Sequence, residues 1–158
     1  MCYTTFNNSW KEVRAMTAKP EARSSDPARL TALRARVDAL YLAYVFPVLA
    51  TVRAGEDPAA VELETRLLEA AKAVGIRVRR YILPAEISRA DVELLIREIN
   101  ADFLLSAALL IEPLPERLDP ASLAEMILPK KQIAVPGEPA DPLTLLTRVA
   151  DAAERSAK

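Results

Sequence analysis

The sequence contains no histidine, one cysteine and only three glycines among its 158 residues. The absence of histidine excludes Ser-His-Asp and Cys-His catalysis, histidine-ligated metal sites and the usual proton shuttle at neutral pH. Cys2 alone cannot form an internal disulfide bond. Gly55, Gly75 and Gly137 are too scattered to build a P-loop or the glycine-rich turn of a dinucleotide-binding fold. We therefore expect neither a metal nor NAD(P) as a cofactor.

The chain also lacks an excess of charge of one sign and any long apolar run. It has 21 basic and 22 acidic residues, for a net charge of -1. This balance argues against a nucleic-acid partner and against binding to an anionic membrane surface. No apolar run approaches the roughly 20 residues that span a bilayer. The first residues do not have the apolar stretch of a signal peptide, so we expect a cytoplasmic protein.

Apolar residues make up 51% of the chain, which is enough to form the core of one ordinary domain. Residues 1–26 are polar and mixed, without sustained periodicity, and are predicted to be a disordered tail. A docking peptide around Trp10, the only tryptophan, is the alternative interpretation. Residues 27–158 are expected to form the folded domain.

Segments typical of strands and of helices alternate along that domain. Asp26, Asp57 and Ser88 are placed as helix N-caps before runs with helical spacing of apolar residues. The strands are predicted at residues 48–52, 77–83 and 103–111, and the last two helices at 120–128 and 141–157. This order predicts an α/β fold, a single three-layer domain with a mostly parallel sheet flanked by helices. In such sheets, ligands bind beyond the carboxyl ends of the strands.

Three stretches, taken in order, resemble the methylenetetrahydrofolate dehydrogenase/cyclohydrolase family. Residues 47–60, PVLATVRAGEDPAA, are similar to the family's P-x-L-A-x-I-x-V-G-x-D-P-A-S. Residues 73–76, 83–84 and 99–102 are similar to its VGI…LP…LN-x-D. Residues 109–115, LLIEPLP, then Asp119 and residues 129–131, look like L-V-Q-L-P-L-P…D…P-x-K. The resemblance covers residues 27–135 and implies the fold of the family's N-terminal, folate-binding catalytic domain.

Residues 135–144 resemble a further family segment, V-P-G-G-V-G-P-M-T, with one residue inserted. In the family that segment follows the nucleotide-binding domain, whereas here it follows Lys131 by four residues. The resemblance therefore implies a catalytic domain without its Rossmann domain, which keeps its C-terminal helix at 141–157. Hydride transfer needs a bound nicotinamide, so this arrangement again predicts no NAD(P) site.

The positions that carry the family's reaction hold apolar residues in this chain. The tyrosine and lysine of Y-V-x-x-K share one helix face, and their positions are Leu63 and Leu67. The glutamine of V-Q-L-P-L-P is Ile111, and the second aspartate of K-D-V-D-G is Ala134. We therefore predict no catalytic residue. The other positions that match the family cleft are Glu112, Pro113, Leu114, Pro115, Lys131, Pro142, Leu143 and Thr144.

Several charged residues lie beside these positions. Glu62, Glu64 and Arg66 are predicted to form a solvated face of the helix. Glu112 is interpreted as a strand-end carboxylate facing water or an arginine, and the alternative is a buried acid with a raised pKa. The three arginines within residues 77–80 are predicted to lie on a solvated sheet edge, and the alternative is pairing with an acidic partner or a phosphate.

Three functions follow as hypotheses. The favoured one is a catalytically inactive homologue that acts as an accessory or interaction subunit, with a protein partner or self-association, because the replacements at the family positions are consistently apolar. The second is a folate-binding protein of one-carbon metabolism that binds tetrahydrofolate and has residual methenyltetrahydrofolate cyclohydrolase activity. The third is a binder of another small apolar ligand in the altered cleft.

Overall fold

The computed structural model describes residues 26–138 and 141–158. Of the predicted tail, all but Asp26 lies outside the described residues. The elements run in the order α1 Pro27–Leu42, β1 Val48–Ala54, α2 Pro58–Val74, β2 Arg77–Leu83, α3 Arg89–Ala101, β3 Ala107–Leu110, α4 Pro120–Met126 and α5 Pro142–Ala157.

An aspartate followed by proline begins α1, α2, α4 and α5. In each case the aspartate carboxylate accepts a hydrogen bond from a backbone N–H of the first helical turn. Proline fits the first helical position because its missing N–H would have no partner there. Ser88 caps α3 in the same way, through the N–H of Asp91 at 3.1 Å. The N-caps predicted at Asp26, Asp57 and Ser88 are therefore confirmed.

The three strands form one parallel sheet in the order β2-β1-β3. Val48 lies opposite Arg77 on one side of β1, and Leu49 lies opposite Ala107 on the other side. The central strand β1 is thus hydrogen-bonded to a neighbour along both edges. Since parallel strands need crossover connections, α2 and α3 return the chain to the same end of the sheet each time.

The sheet separates two apolar cores. Leu49, Ala107 and Leu109 face α1, α2 and α5 on one side. Ala50, Val52 and Ala108 face α3 and α4 on the other. This alternation follows from the two-residue period of a strand. The predicted α/β class, with three layers around a parallel sheet, is confirmed.

The third strand is shorter than predicted. The sequence pattern predicts one apolar strand over residues 103–111, but β3 covers only Ala107–Leu110. Phe103 and Leu104 instead form a turn after α3, where their side chains are 91% and 60% exposed. The cause is Asp102, whose carboxylate accepts the N–H of Leu104 at 2.9 Å and so bends the chain before pairing with β1 begins. Apolarity alone does not distinguish such a turn from a strand.

Helix α4 also ends before residue 128, where the sequence pattern placed its end. The amide of Asn100 donates to the carbonyl of Met126 at 2.7 Å and accepts the N–H of Leu128 at 3.0 Å. These two hydrogen bonds take backbone groups that a longer helix would use internally. Within the described residues, no helix combines the length and the apolarity needed to cross a membrane.

Candidate functional site

The carboxyl ends of the three strands meet at one edge of the sheet. A cavity of about 280 Å³ lies there, bounded by the turn after β1, by Ala85 after β2, and by Pro113, Leu114 and Pro115 after β3. Gly55 makes the turn after β1 with φ +84°, and a Cβ at this position would lie 3.3 Å from that of Ala85. The close approach of the two turns therefore requires glycine at this point.

The apolar residues at the family's polar positions come together in one core cluster. Leu67 on α2 is completely buried, and so is Ile111 after β3. Leu63 is half-buried and packs against the same cluster, as does Ala134. Leu143, at the start of α5, completes it. The structure therefore joins these positions by packing and leaves no polar side chain among them.

A small cavity remains next to Leu63. Its volume is about 70 Å³, and its lining includes Leu109, Ala134 and Leu145, with Glu112 and Glu138 as its polar residues. Ligand sites for small molecules are typically about 300–1,000 Å³. A pterin also needs hydrogen-bond partners, and each buried polar group left without one costs about 1–3 kcal/mol. The residues present therefore do not fit a pterin in this cavity.

The remaining family positions serve the local structure. Glu112 accepts the N–H of Gly137 at 3.0 Å, which ties the turn after β3 to the segment before α5. Pro142 is the buried first residue of α5. Thr144 donates its N–H to Asp141 at 2.7 Å, and its hydroxyl accepts from Arg29 at 3.0 Å. These contacts account for Glu112 and Thr144 without a ligand.

Lys131 is buried at the end of α3. Its ammonium donates to the carbonyls of Ile99, Asn100 and Asp102 at 2.7, 3.2 and 2.6 Å. A cation is favourable there because the last carbonyls of a helix carry partial negative charge. Burial lowers the pKa of Lys131, although Asp102 opposes this shift. Because it makes these three hydrogen bonds, this lysine caps the end of α3.

The prediction of a solvated helix face is wrong for Glu64. This carboxylate is only 1% exposed and lies between α2 and the sheet. It accepts a hydrogen bond from Arg53 of β1 at 2.8 Å and from Arg80 of β2 at 3.2 Å. The hydroxyl of Thr51 donates to its other oxygen at 3.4 Å. We call Arg53 and Glu64, together with the Arg80 guanidinium that reaches them from a side chain 42% exposed, the buried ionic cluster.

This cluster is structural in character. Burial on its own would raise the pKa of Glu64, but the hydrogen bonds from Arg80 and Arg53 outweigh it and hold that pKa below its usual value. Glu64 is therefore a carboxylate at neutral pH, enclosed by protein. A general acid or base must reach the reacting group, and Glu64 does not.

The sequence did contain a signal for this cluster. Ala60, Glu64, Leu67, Ala71 and Val74 fall at the helical spacing of one face, and all are buried. Arg53 also lies within a strand whose other residues, apart from Thr51, are apolar. A charge placed in such a strand must find a partner inside the protein. Together these two observations would have predicted the pair.

The arginines of β2 divide between the two faces of the strand. Arg80 reaches Glu64 on the α2 side, while Arg79 pairs with Asp102 on the α3 side at 2.8 Å. Arg77 is exposed at the start of the strand. The alternative of an acidic partner therefore holds within the chain for Arg79 and Arg80. Across residues 26–138 and 141–158, no group of three acidic or cysteine side chains is arranged to hold a metal ion.

Comparison with known proteins gives a consistent match. The family described as tetrahydrofolate dehydrogenase/cyclohydrolase, catalytic domain, matches residues 22–134. The bifunctional protein FolD of Geotalea uraniireducens is 40% identical over 87 residues, which cover 55% of this chain and 31% of that protein. The FolD of Gluconacetobacter diazotrophicus is 37% identical over 129 residues, covering 80% of this chain and 41% of that protein.

The fold is shared with solved structures. The bifunctional methylenetetrahydrofolate dehydrogenase/cyclohydrolase of Campylobacter jejuni superposes with a TM-score of 0.66 at 23% identity, over 71% of this chain and 39% of that one. At this identity the likeness establishes the fold alone. The chain spans about a third to two fifths of the length of these relatives.

We predict that the buried ionic cluster behaves as a coupled unit. Glu64→Val should destabilise the protein by about 3–5 kcal/mol, because it removes the buried carboxylate that pairs with Arg53 and leaves that guanidinium only the exposed carboxylate of Glu56 at 3.4 Å. The double variant Arg53→Leu, Glu64→Val should recover most of that loss. Urea denaturation measures all three proteins. Glu62→Val, at an exposed position of the same helix, is the control and should change stability by no more than ~0.5 kcal/mol. Simple additivity of the two single changes would contradict the coupling.

We also predict that the two neighbouring lysines differ sharply. Lys131→Ala should cost about 2–3 kcal/mol, because it removes a buried charged donor from three backbone carbonyls at the end of α3. Lys130→Ala, at an exposed position, should stay within ~0.5 kcal/mol of the parent. Thermal and urea unfolding of the two variants provide the measurement. Equal midpoints for both variants would show that Lys131 does not hold the end of α3.

Proposed function

The chain belongs to the tetrahydrofolate dehydrogenase/cyclohydrolase family, and on that premise we propose that it is a catalytically inactive homologue of the family's catalytic domain, acting as an accessory or interaction subunit. The observation that carries this proposal is the complete burial of Leu67 at the position of the family's lysine. A side chain at this position has no access to a substrate. The subunit would work in the cytoplasm, with a protein partner or a second copy of itself.

The loss of acid–base groups supports inactivity. Such groups typically contribute about 10²–10⁴ in rate, and their losses do not add simply when they act as a unit. Leu63, Leu67 and Ile111 supply none of them. The nearby ionisable groups do not replace them, because Glu64 is enclosed by two arginines and Lys131 is bound to the end of α3.

The short connection before α5 supports the proposal that the protein carries out no nicotinamide chemistry. A bound nicotinamide would supply the hydride acceptor, and the family resemblance places its domain between residues 131 and 135. Here that stretch is short and fastened to the core: Gln132 pairs with Ala108 of β3, and Arg148 of α5 donates to the carbonyl of Ile133 at 2.8 Å. Arg148 also pairs with Glu138 at 2.9 Å. We propose that this connection takes the place of the nucleotide-binding domain.

The consistently apolar character of the altered positions supports an accessory role. Unselected loss of a polar site would leave mixed replacements, whereas Leu63, Leu67 and Ile111 pack into the core. The fold around them is kept, with its Asp-Pro helix starts and its parallel sheet. A fold whose cleft is filled by its own side chains is suited to presenting a surface to a protein partner.

One observation favours a second candidate, a folate-binding protein with residual cyclohydrolase activity. The turn Pro113-Leu114-Pro115 keeps the family's pattern and borders the cavity of about 280 Å³ at the strand ends. A ligand held there would bind without the tyrosine and lysine. A titration with folates distinguishes this candidate from the first.

We predict no folate chemistry in the purified protein. Calorimetric titration with tetrahydrofolate and with methenyltetrahydrofolate should give no binding heat at millimolar ligand, because Leu63, Leu67, Ile111 and Ala134 offer the pterin no side-chain hydrogen bonds. The absorbance of methenyltetrahydrofolate should decay at the rate of the protein-free control. An active family member that has the tyrosine and the lysine serves as the positive control. Saturable heat or accelerated decay would favour the second candidate and overturn the first.

We predict that Leu67 does not tolerate charge. Leu67→Ala should cost about 2–5 kcal/mol through the cavity it leaves. Leu67→Lys should unfold the protein or lower the pKa of the new amine by several units, since it buries an unpaired ammonium. Leu94→Lys, at a residue of α3 that is 54% exposed, is the matched control and should leave the urea midpoint unchanged. A folded Leu67→Lys protein with the parent's midpoint would mean that the cleft is open.

A further inference from the structure

A groove lies at the end of the sheet where the strands begin, opposite the strand ends described above. It is formed by the chain entering β1 and β2, the turn before β3 and the end of α5. Its volume is about 520 Å³, which falls within the usual range of about 300–1,000 Å³ for small-molecule sites. Nothing in the family resemblance uses this end of the sheet.

Aromatic and aliphatic side chains form one wall of this groove. Tyr44 and Phe103 are 85% and 91% exposed, and Leu104 and Phe46 are also largely open to solvent. The ring of Phe46 rests against that of Tyr41 with centroids 5.4 Å apart, so it is held in place. An exposed cluster of large apolar side chains of this kind is typical of a binding site.

The left-handed backbone conformation of Tyr44 lowers the stability of the fold, and burial of its side chain does not offset this loss. Tyr44 follows α1 with φ +60°, its N–H donates to Tyr41 at 3.0 Å, and the next N–H, of Val45, donates to Leu40 at 2.8 Å. This is the helix ending in which glycine is usual, because a Cβ is unfavourable in the left-handed region. Since the tyrosine side chain is mostly exposed, burial does not offset that cost. Backbone strain of this kind concentrates at functional sites.

The charge of the groove is positive. Arg77 and Arg79 lie on one face of β2 and border it, and no acidic residue is part of its lining. Arg79 is paired with Asp102, but in the described part of the chain no carboxylate lies within ion-pair distance of Arg77. Ser106 accepts the N–H of Val48 at 3.2 Å, which leaves its own hydroxyl proton to be donated. These groups favour an anion.

We propose that this groove binds an amphipathic anion, with an aromatic or alkyl body against Tyr44, Phe46 and Phe103 and its negative charge at Arg77. The charge pattern disfavours the amino-terminal segment, which has Lys11, Arg14, Lys19 and Arg23 against Glu12 and Glu21. It also disfavours a second copy of the chain, whose groove would bring the same two arginines. The groove is remote from the family positions, so the proposal holds whether or not those positions are active.

The probes are anilinonaphthalenesulfonate, which fluoresces when its rings leave water, and decanoate. The folded full chain should bind the dye with a stoichiometry of one, and decanoate should displace it. Decyltrimethylammonium, which has a chain of the same length and the opposite charge, should displace it at least tenfold more weakly. Fluorescence titration at neutral pH measures all three ligands.

Two variants test the groove itself. Arg77→Gln should weaken decanoate binding about tenfold while changing the cation's displacement little. Tyr44→Gly should weaken dye binding at least fivefold and at the same time raise the urea midpoint, because glycine suits the left-handed turn. A mutation that only damaged the fold would lower that midpoint. Arg97→Gln and Leu94→Ser, at exposed positions of α3 outside the groove, are the matched controls and should bind as the parent does.

Any of three results would overturn the proposal. The first is no saturable binding of either anionic probe. The second is equal displacement by decanoate and by the cation. The third is parental affinity in both groove variants. If the dye does not bind and the fluorescence of Trp10 shifts in Tyr44→Gly, the amino-terminal segment is the occupant; if a dimer dissociates in that variant, a second copy is.

Discussion

The ion pair between Arg53 and Glu64 joins the central strand to α2 in a region closed to water. β1 has a hydrogen-bonded strand on each side and a layer of helices on each face, so a charge on it must be neutralised within the protein. Glu64 meets this requirement and also binds Arg80 on the edge strand. One carboxylate thereby holds α2, β1 and β2 in register. A pair of this kind adds little net stability over apolar side chains, but it penalises any arrangement that separates its partners.

The same position of α2 accounts for the packing around Leu67. The helix face that presents Glu64 to the sheet also presents Leu67 to the core, one turn further along. With the helix held by the ionic cluster, the family's lysine position points into packed side chains, and only a small cavity beside Leu63 remains. The burial of Leu67 and the close packing of α2 on the sheet are thus two aspects of one packing arrangement.

The two ends of the sheet differ in how they use apolar residues. At the carboxyl ends of the strands, Ile111 is buried and Glu112 accepts a hydrogen bond from within the chain. At the opposite end, Tyr44, Phe46 and Phe103 are exposed beside an arginine that has no carboxylate partner in the described part of the chain. In most open parallel sheets, ligands bind beyond the carboxyl ends. In this chain the larger groove, and the one with features that folding does not explain, lies at the other end.

Local sequence patterns were sufficient to predict the class and the order of the elements. Asp-Pro pairs marked helix starts, apolar periods distinguished strands from helices, and together they predicted a parallel three-layer domain whose family resemblance the comparisons confirm. These signals are local, and each depends on a few adjacent residues. Tertiary structure decided what local patterns leave open. Local patterns predict a solvated Glu64 because its partners Arg53 and Arg80 lie 11 and 16 positions away in the sequence. They predict Phe103 as part of a strand because its exposure depends on what the neighbouring elements leave uncovered. Whether a charge is paired, or an apolar side chain buried, is a property of the assembled layers.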